Sequence, residues 1–299
     1  MVIIMKNILN YYYHIIINDN DLERGYFIYN NHHFCLHEYK RSIDEINNLI
    51  SLNDYMLTRG ITNSQIIMNI NNEFITQIDN KNYVLVENNT KKEKSIQIPN
   101  FLVKELPLLK RNNWDILWSR KIDYIEYQMA HLEKHFPLLN ESINYYIGLS
   151  ENAISYFKMI NLENYPLYLS HRRLTKESFN NPLEYVIDYR VRDLAEYLKY
   201  LFFYEKMEIS GILNFIKRIN LNYIDYLLLY TRMLYPSYYF DVYEDIVNNN
   251  QEEKRILEVT KFSCKYEKLL YELYLYISRT YNILGIEWIN NKFINSQYC

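Results

Sequence analysis

The amino-acid sequence predicts an α+β protein of two lobes: a small antiparallel β lobe with one helix, then a large, mostly helical C-terminal lobe. Up to Glu87 the apolar residues form short alternating runs separated by asparagine-rich turns. Beyond Pro107 they recur at helical spacing almost to the end of the chain. We therefore predict lobes over residues 1–87 and 108–299, joined by a hinge and connector at 88–107.

Strands of the first lobe are expected wherever short apolar runs end in turn residues. Asn30 and Asn31 separate two such runs, and because asparagine tolerates positive backbone angles they predict a tight hairpin. A helical period predicts the one helix, after the third strand. The predicted strands lie at 11–17, in two runs within 25–40, and at 65–70, 74–78 and 83–87, with the helix at 42–57.

Composition excludes several classes of protein. A chain of 299 residues can bury a sizeable core, and a net charge of -3 argues against a broad nucleic-acid surface. No run reaches the roughly 18 apolar residues of a membrane span. The apolar start lacks a basic flank and a small-residue cleavage site, so we predict a soluble protein that is not exported by a signal peptide. The three cysteines share no metal-ligand spacing.

The residues most informative about function lie between 165 and 202. Apolar runs at 165–169 and 183–187 predict two short strands. Charged residues follow the first run, and Asp188 ends the second. A helical period then begins, with Asp193 in its first turn. The order strand, charged loop, strand, aspartate, helix is suited to building a site at a sheet edge.

This order resembles the catalytic core of the aminoglycoside-phosphotransferase-like branch of the protein-kinase-like fold, with H-x-D-x-x-x-x-N, an apolar strand ending in I-D, and D-L-A opening a helix. His171, Asp188 and Asp193 match their positions in that pattern. Arg173 stands where the catalytic aspartate belongs, and Ser178 where the asparagine belongs. The resemblance implies a bilobal kinase-like fold, for which ATP and Mg²⁺ are the candidate cofactors. No cofactor is assigned, because the site looks like a kinase site without its base.

Two further positions concern the phosphates. The resemblance implies a lysine on the third strand, paired with a glutamate on the next helix. His37 occupies the lysine position, while Lys40 is out of phase and would face the other side of the strand. Glu45 is the candidate partner, with a solvated helix carboxylate as the alternative. The five glycines are scattered, so no glycine-rich phosphate cradle is predicted.

The sequence leaves two predicted roles open for Asp188. It could be a magnesium ligand, or it could pair with Arg173, Arg190 or Arg192. His171 is expected to bind backbone and shape the loop. Arg173 cannot accept a proton, because arginine stays protonated at physiological pH. We therefore expect a pseudokinase, the alternative being an ATP-dependent phosphotransferase that uses Asp188 and an unrecognised base.

Two other constellations are weaker. His131 and His135 are four residues apart and could clip a metal, but an exposed helix end is the favoured interpretation. A triad of Ser150, His171 and Asp188 can be written, but Ser150 lies within a predicted helix and lacks the G-x-S-x-G elbow. We discount that triad.

Further strings extend the resemblance to one family over most of the chain. The chain resembles the YutH/CotS family of spore-coat kinase-like proteins. This implies association with the spore coat of an endospore former, synthesis in the mother-cell cytoplasm, a coat or other protein partner, and room for a nucleotide or small anion in the cleft between the lobes. It also implies that the expected pseudokinase acts as a binding or assembly module. Under the alternative, the phosphotransferase acts on a small molecule or a coat protein. The matching strings are LWSRKIDYIE at 117–126, YYIGLSENAI at 145–154, HRRL at 171–174, RDLAEY at 192–197 and YPSYYF at 235–240.

Overall fold

The computed structural model describes most of the chain, in two compact units. Unit 1 comprises Met1–Lys110 and Leu167–Asp188, and unit 2 comprises Arg111–Pro166 and Tyr189–Cys299. The segment 167–188 is thus grouped with the N-terminal residues. The predicted hinge at 88–107 lies largely outside the described residues. These are 2–18, 22–23, 25–87, 101–103, 106–132, 134–176, 178–249 and 251–294.

Unit 1 is built on an antiparallel sheet of five strands, with a helix on each side. The elements are α1 (Val2–Tyr13), β1 (Tyr26–Tyr29), β2 (His32–Glu38), α2 (Ile46–Thr58), β3 (Gln65–Ile67), β4 (Thr76–Ile78), β5 (Lys81–Glu87), β6 (Tyr168–His171) and β7 (Tyr185–Asp188). The strands of the sheet run in the order β1-β2-β5-β3, and β4 also pairs with β5. A separate antiparallel hairpin is formed by β6 and β7.

Alternation along the strands gives the sheet two apolar faces. Leu36 and Leu85 belong to a buried cluster with Ile8 of α1, which covers one face. Val84, one residue along β5, belongs to a second cluster with Leu49 of α2 on the opposite face. The second cluster also includes Leu169 and Ile187 of the β6–β7 hairpin. The hairpin is therefore anchored to the α2 side of unit 1.

The predicted hairpin turn is confirmed. Asn30 and Asn31 connect β1 and β2 with φ angles of 49° and 65°. Both lie in the left-handed region, which a two-residue turn between twisted strands requires and which asparagine tolerates.

The predicted strand at 11–17 is wrong. The expectation of a single helix in this lobe is also wrong, because α1 precedes the sheet and α2 follows the second strand. Residues 11–13 end α1, and 14–18 form no strand. Met5, Ile8 and Leu9 are buried at helical spacing, so packing of this face on the sheet favours a helix over a strand. His14 adopts a φ of 53°, and the amide of Ile15 donates to the carbonyl of Leu9 at 3.0 Å, which closes the helix end.

Unit 2 is helical, as the sequence predicts beyond Pro107. The helices are α3 (Trp114–Leu132), α4 (Pro137–Lys158), α5 (Val191–Phe203), α6 (Ile209–Lys217), α7 (Tyr223–Leu234), α8 (Ser237–Asn249), α9 (Leu257–Thr260), α10 (Ser263–Ser278) and α11 (Glu287–Ile294). Helix α4 packs against α3 and α7, and α7 packs against α5. A 3-10 turn at Glu253–Ile256 precedes α9.

A buried ionic cluster lies in unit 2 where α5 and α7 meet. The Glu196 carboxylate accepts from Arg232 Nε at 2.8 Å and from the Ser237 hydroxyl at 3.0 Å. Lys199 Nζ lies 3.5 Å from the same carboxylate and donates to the Tyr235 carbonyl at 2.9 Å and to Ser237 Oγ at 3.0 Å. These contacts satisfy charged groups that the helices remove from water.

Across the described residues, no helix combines the length and the apolar character that a membrane crossing needs.

Candidate functional site

The β6–β7 hairpin positions the residues of the predicted catalytic loop. Tyr168 lies opposite Asp188, and His171 lies opposite Tyr185. Directly opposed residues of an antiparallel pair share a face, so Asp188 lies on the face of Tyr168. Side chains alternate along a strand, and His171 is three residues after Tyr168, so Asp188 and His171 point to opposite sides of the hairpin. The edge-on contact of the His171 and Tyr185 rings, with centroids 5.3 Å apart, agrees with this register.

His171 shapes the loop that joins the two strands. Its Nε2 lies 3.1 Å from the carbonyl oxygen of Phe179, which can only accept a hydrogen bond, so this nitrogen carries the proton. The imidazole also stacks on the Phe179 ring, at 6.1 Å and 19°. His171 is buried, and its contacts with Phe179 hold the second half of the loop against the end of β6.

Ser178 is engaged within the same loop. Its hydroxyl donates to the backbone carbonyl of Arg173 at 2.6 Å and accepts from the backbone amide of Thr175 at 2.9 Å. The Ser178 amide donates in turn to Thr175 Oγ1 at 3.1 Å. At the position where the kinase-like pattern has an asparagine, the hydroxyl therefore organises a turn.

Arg173 occupies the position of the catalytic base with a permanent cation. One of its guanidinium nitrogens donates to the Arg172 carbonyl at 2.9 Å, and the residue is half-buried. Because arginine stays protonated at neutral pH, this side chain cannot remove a proton from a hydroxyl group.

Asp188 is fully buried at the end of β7. Ser170, on the same face and one diagonal step away, is also fully buried, and its hydroxyl finds no hydrogen-bond partner in the described part of the chain. Sequence reasoning missed Ser170, although the alternation along β6 places it on the face of Asp188. The two predicted roles of Asp188, metal ligand and ion-pair partner, both stay predictions.

His37 lies on the α2 face of the sheet, opposite Val84 of β5. Burial lowers the pKa of its imidazole to about 4, so His37 is neutral at pH 7. Its Nδ1 lies 3.8 Å from the Cys35 thiol, and its ring meets that of Tyr26 edge-on at 6.2 Å. A neutral imidazole at the lysine position supplies no positive charge for a phosphate group.

Glu45, the predicted partner on the helix, is bound by an arginine that sequence reasoning did not single out. Arg41 Nε lies 2.8 Å from the Glu45 carboxylate, and Nη2 lies 2.5 Å from it. Arg41 Nη1 also donates to the carbonyls of Leu183 and Tyr185, both at 2.8 Å. Arg41 thus ties Glu45 to the start of β7 and brings two parts of the predicted site into one hydrogen-bonded group.

The partly buried imidazole of His37 is expected to make the stability of the fold sensitive to acid. Its pKa when folded lies below the ordinary value of 6.5, so below about pH 6.5 the unfolded chain binds more protons and stability falls as the pH drops toward 4. Between about pH 6.5 and 4.5 we expect the wild type to lose about 1–2 kcal/mol more unfolding free energy than His37→Gln. Urea denaturation at both pH values measures this. Equal losses in the two proteins would contradict the buried neutral state.

Two residues of the weaker constellations bond carbonyl groups of their own helices. His131 is exposed, and its Nδ1 lies 2.8 Å from the Tyr127 carbonyl of its own helix. The Ser150 hydroxyl donates to the Tyr146 carbonyl at 2.7 Å within α4. Among the described residues, no group of three or more His, Cys, Asp or Glu could hold a metal ion.

Solved structures with similar coordinates identify the fold. An aminoglycoside phosphotransferase from Alicyclobacillus acidocaldarius matches with a TM-score of 0.55 and 9% identity, over 89% of this chain and 97% of the other. A spectinomycin phosphotransferase, solved in complex with ADP and spectinomycin, matches with a TM-score of 0.50 and 13% identity, over 90% and 97%. The fold is therefore the kinase-like fold of the aminoglycoside phosphotransferases, which confirms the predicted fold class.

The family is more specific than the fold. The model of the family described as "Spore coat putative kinase YutH" matches residues 6–273, and the chain belongs to this family. The endospore coat-associated protein YutH of Bacillus subtilis (strain 168) is 30% identical over 176 residues. That match covers 48% of this chain and 49% of the relative, so it spans about half of each. The predicted family is confirmed.

Proposed function

We propose that this chain is a pseudokinase that acts as a binding or assembly module in the spore coat. The observation that carries the proposal is the placement of His37 at the position of the phosphate-binding lysine, on the α2 face of the sheet opposite Val84. Burial lowers the pKa of this imidazole to about 4, so it carries no charge at pH 7. Phosphoryl transfer relies almost entirely on positioning and on stabilising the charge of the phosphates, so loss of the cation that holds them removes a central part of catalysis. The relative in Bacillus subtilis, which is described as coat-associated, supports the location.

The other positions of the pattern support the same conclusion. Arg173 replaces the base, and a positioned base ordinarily contributes about 10²- to 10⁴-fold in rate. The Ser178 hydroxyl is already bonded within its loop. Glu45 binds Arg41, whose other donors are held by backbone carbonyls. Apart from Asp188, the residues at these positions do not fit a Mg²⁺-bound triphosphate.

An ATP-dependent phosphotransferase is the second candidate, and one observation favours it. Asp188 and Ser170 lie on one face of the hairpin, and the Ser170 hydroxyl is buried with no partner among the described residues. Two such oxygens are of the hard type that Mg²⁺ prefers. The acceptor in that case would be a small molecule or a coat protein.

Nucleotide binding and turnover separate the two candidates. With ATP at about 1 mM we expect no Mg²⁺-dependent rise in the melting temperature, because only a ligand that binds the native state stabilises it. We likewise expect no transfer of labelled γ-phosphate to coat extracts. A Mg²⁺-dependent rise or transfer that Asp188→Asn abolishes, and that the matched surface variant Asp44→Asn retains, would establish the phosphotransferase.

Coat association tests the proposed role directly. Asp188→Asn should assemble into the coat of an endospore-forming host as well as the wild type, measured by immunoblot of extracted coat protein. The variant keeps the shape of the side chain and removes its charge. Loss of assembly in a variant whose melting temperature is unchanged would show that the role depends on the Asp188 charge and would count against a pure binding module.

A further inference from the structure

A cavity of about 440 Å³ lies in unit 1, on the face of the sheet that α1 covers. Phe34 and Leu85 line it, and both alternate with residues of the opposite face. His37 and Val84 belong to that opposite face, on the side of α2. The sheet therefore separates this cavity from the candidate functional site.

Four tyrosine and phenylalanine rings contribute to the wall of the cavity. They are Tyr12, Tyr13, Tyr29 and Phe34, and Leu85 is among the apolar residues beside them. The Tyr13 hydroxyl is hydrogen-bonded to Thr76 Oγ1 at 3.1 Å, so this ring is held in place. Because the face of an aromatic ring carries partial negative charge, rings that surround a cavity attract cations.

The charged side chain of the cavity wall is also negative. Glu87 contributes a carboxylate, and no lysine or arginine is among the described residues that line the cavity. His32 Nδ1 lies 2.5 Å from Glu87 Oε1, but the His32 side chain is 55% exposed, so a cation can displace it toward solvent. A carboxylate beside aromatic rings is suited to binding a cationic group.

The rim suits a side chain that also has an apolar part. Met68 and Ile70 line the cavity and are each about half exposed, at 49% and 51%. The backbone amide of Ile70 donates to the Tyr12 carbonyl at 2.9 Å, which fixes this edge against the end of α1. The methylene stem of a lysine or arginine can cover such apolar surface while its charged head reaches a carboxylate.

We propose that this cavity binds a basic side chain, lysine or arginine, presented by a protein partner. The head group lies against Glu87 and the tyrosine rings, and the stem packs on Met68 and Ile70. The volume falls within the usual range of ligand pockets, about 300–1,000 Å³. This inference rests on the proposed binding function and deepens it, since it names the chemistry of one recognised group.

The test uses the full chain and short peptides, without nucleotide. Ligand-observed NMR titrations compare acetyl-Gly-Lys-Gly-amide and its arginine counterpart with the norleucine analogue, which keeps the stem and lacks the charge. We expect the basic peptides to bind about tenfold more tightly than the norleucine peptide, and Glu87→Gln to remove that difference. Tyr29→Leu should weaken the basic peptides about threefold or more.

Glu38→Gln is the matched control. Glu38 is a carboxylate in the same sheet, at the end of β2, and it accepts a hydrogen bond from Lys81 at 3.2 Å. It does not line the cavity. The substitution should leave the affinity within about twofold, as expected for an exposed pair. Three results would overturn the proposal. They are equal affinities for the norleucine and the basic peptides, an unchanged affinity of Glu87→Gln for the basic peptides, and no binding of either basic peptide. Phosphate transfer by the chain would refute the pseudokinase proposal and leave these titrations unaffected.

Discussion

Arg41→Ala is expected to lower the free energy of unfolding by about 3 kcal/mol, because it removes the cation from a largely buried ion pair. The side chains of Arg41 and Glu45 are only 5% and 14% exposed. The substitution also removes the donor to the carbonyls of Leu183 and Tyr185. Chemical denaturation of the full chain, followed by far-UV circular dichroism, measures the change.

Arg59→Ala is the matched control for the loss of an arginine in unit 1. Arg59 is exposed, and its guanidinium lies over the Tyr55 ring at 4.2 Å. This substitution should cost no more than about 1 kcal/mol, the scale of an exposed cation–π contact. The double variant Arg41→Ala, Glu45→Gln should cost clearly less than the two single losses added together, because the two side chains interact. Additive losses would show that Arg41 acts without Glu45.

The hairpin and its loop could be predicted because their signals are local in the sequence. Two short apolar runs, the polar residues that follow each, and the change to a helical period after Asp188 all lie within about forty residues. The strands begin two or three residues later than predicted, at Tyr168 and Tyr185. Element boundaries depend on individual hydrogen bonds, which an apolar pattern does not specify.

The first helix and the Arg41 contacts could not be predicted in the same way. Residues 11–17 are rich in tyrosine and isoleucine, which favours a strand, but packing of Ile8 and Leu9 on the sheet outweighs that preference. The backbone acceptors of Arg41 lie 142 and 144 residues away along the chain. They are carbonyl groups, which every residue has, so no pattern of side chains marks them.

The buried ionic cluster of unit 2 gives the second large effect that we expect. Glu196 lies between Lys199 and Arg232, and the side chains of all three are only 3% exposed. Two cations share this carboxylate, and the Arg232 guanidinium also lies 5.0 Å from the centre of the Trp114 ring. If the carboxylate is removed, the two cations stay buried without a counter-charge. The free energy lost is then far larger than the net stabilisation that the intact cluster provides.

Glu196→Ala should therefore lower the free energy of unfolding by about 4 kcal/mol, within the 3–5 kcal/mol range for breaking a buried pair. Glu208→Ala is the control, since Glu208 pairs with Lys265 at 2.9 Å on the surface, with side chains 72% and 40% exposed. That loss should stay below about 1 kcal/mol. Adding Lys199→Met to Glu196→Ala should recover part of the stability, because the second change removes a buried cation. A double variant less stable than the single one would mean that Lys199 is held chiefly by Tyr235 and Ser237 and that the carboxylate is not its main counter-charge.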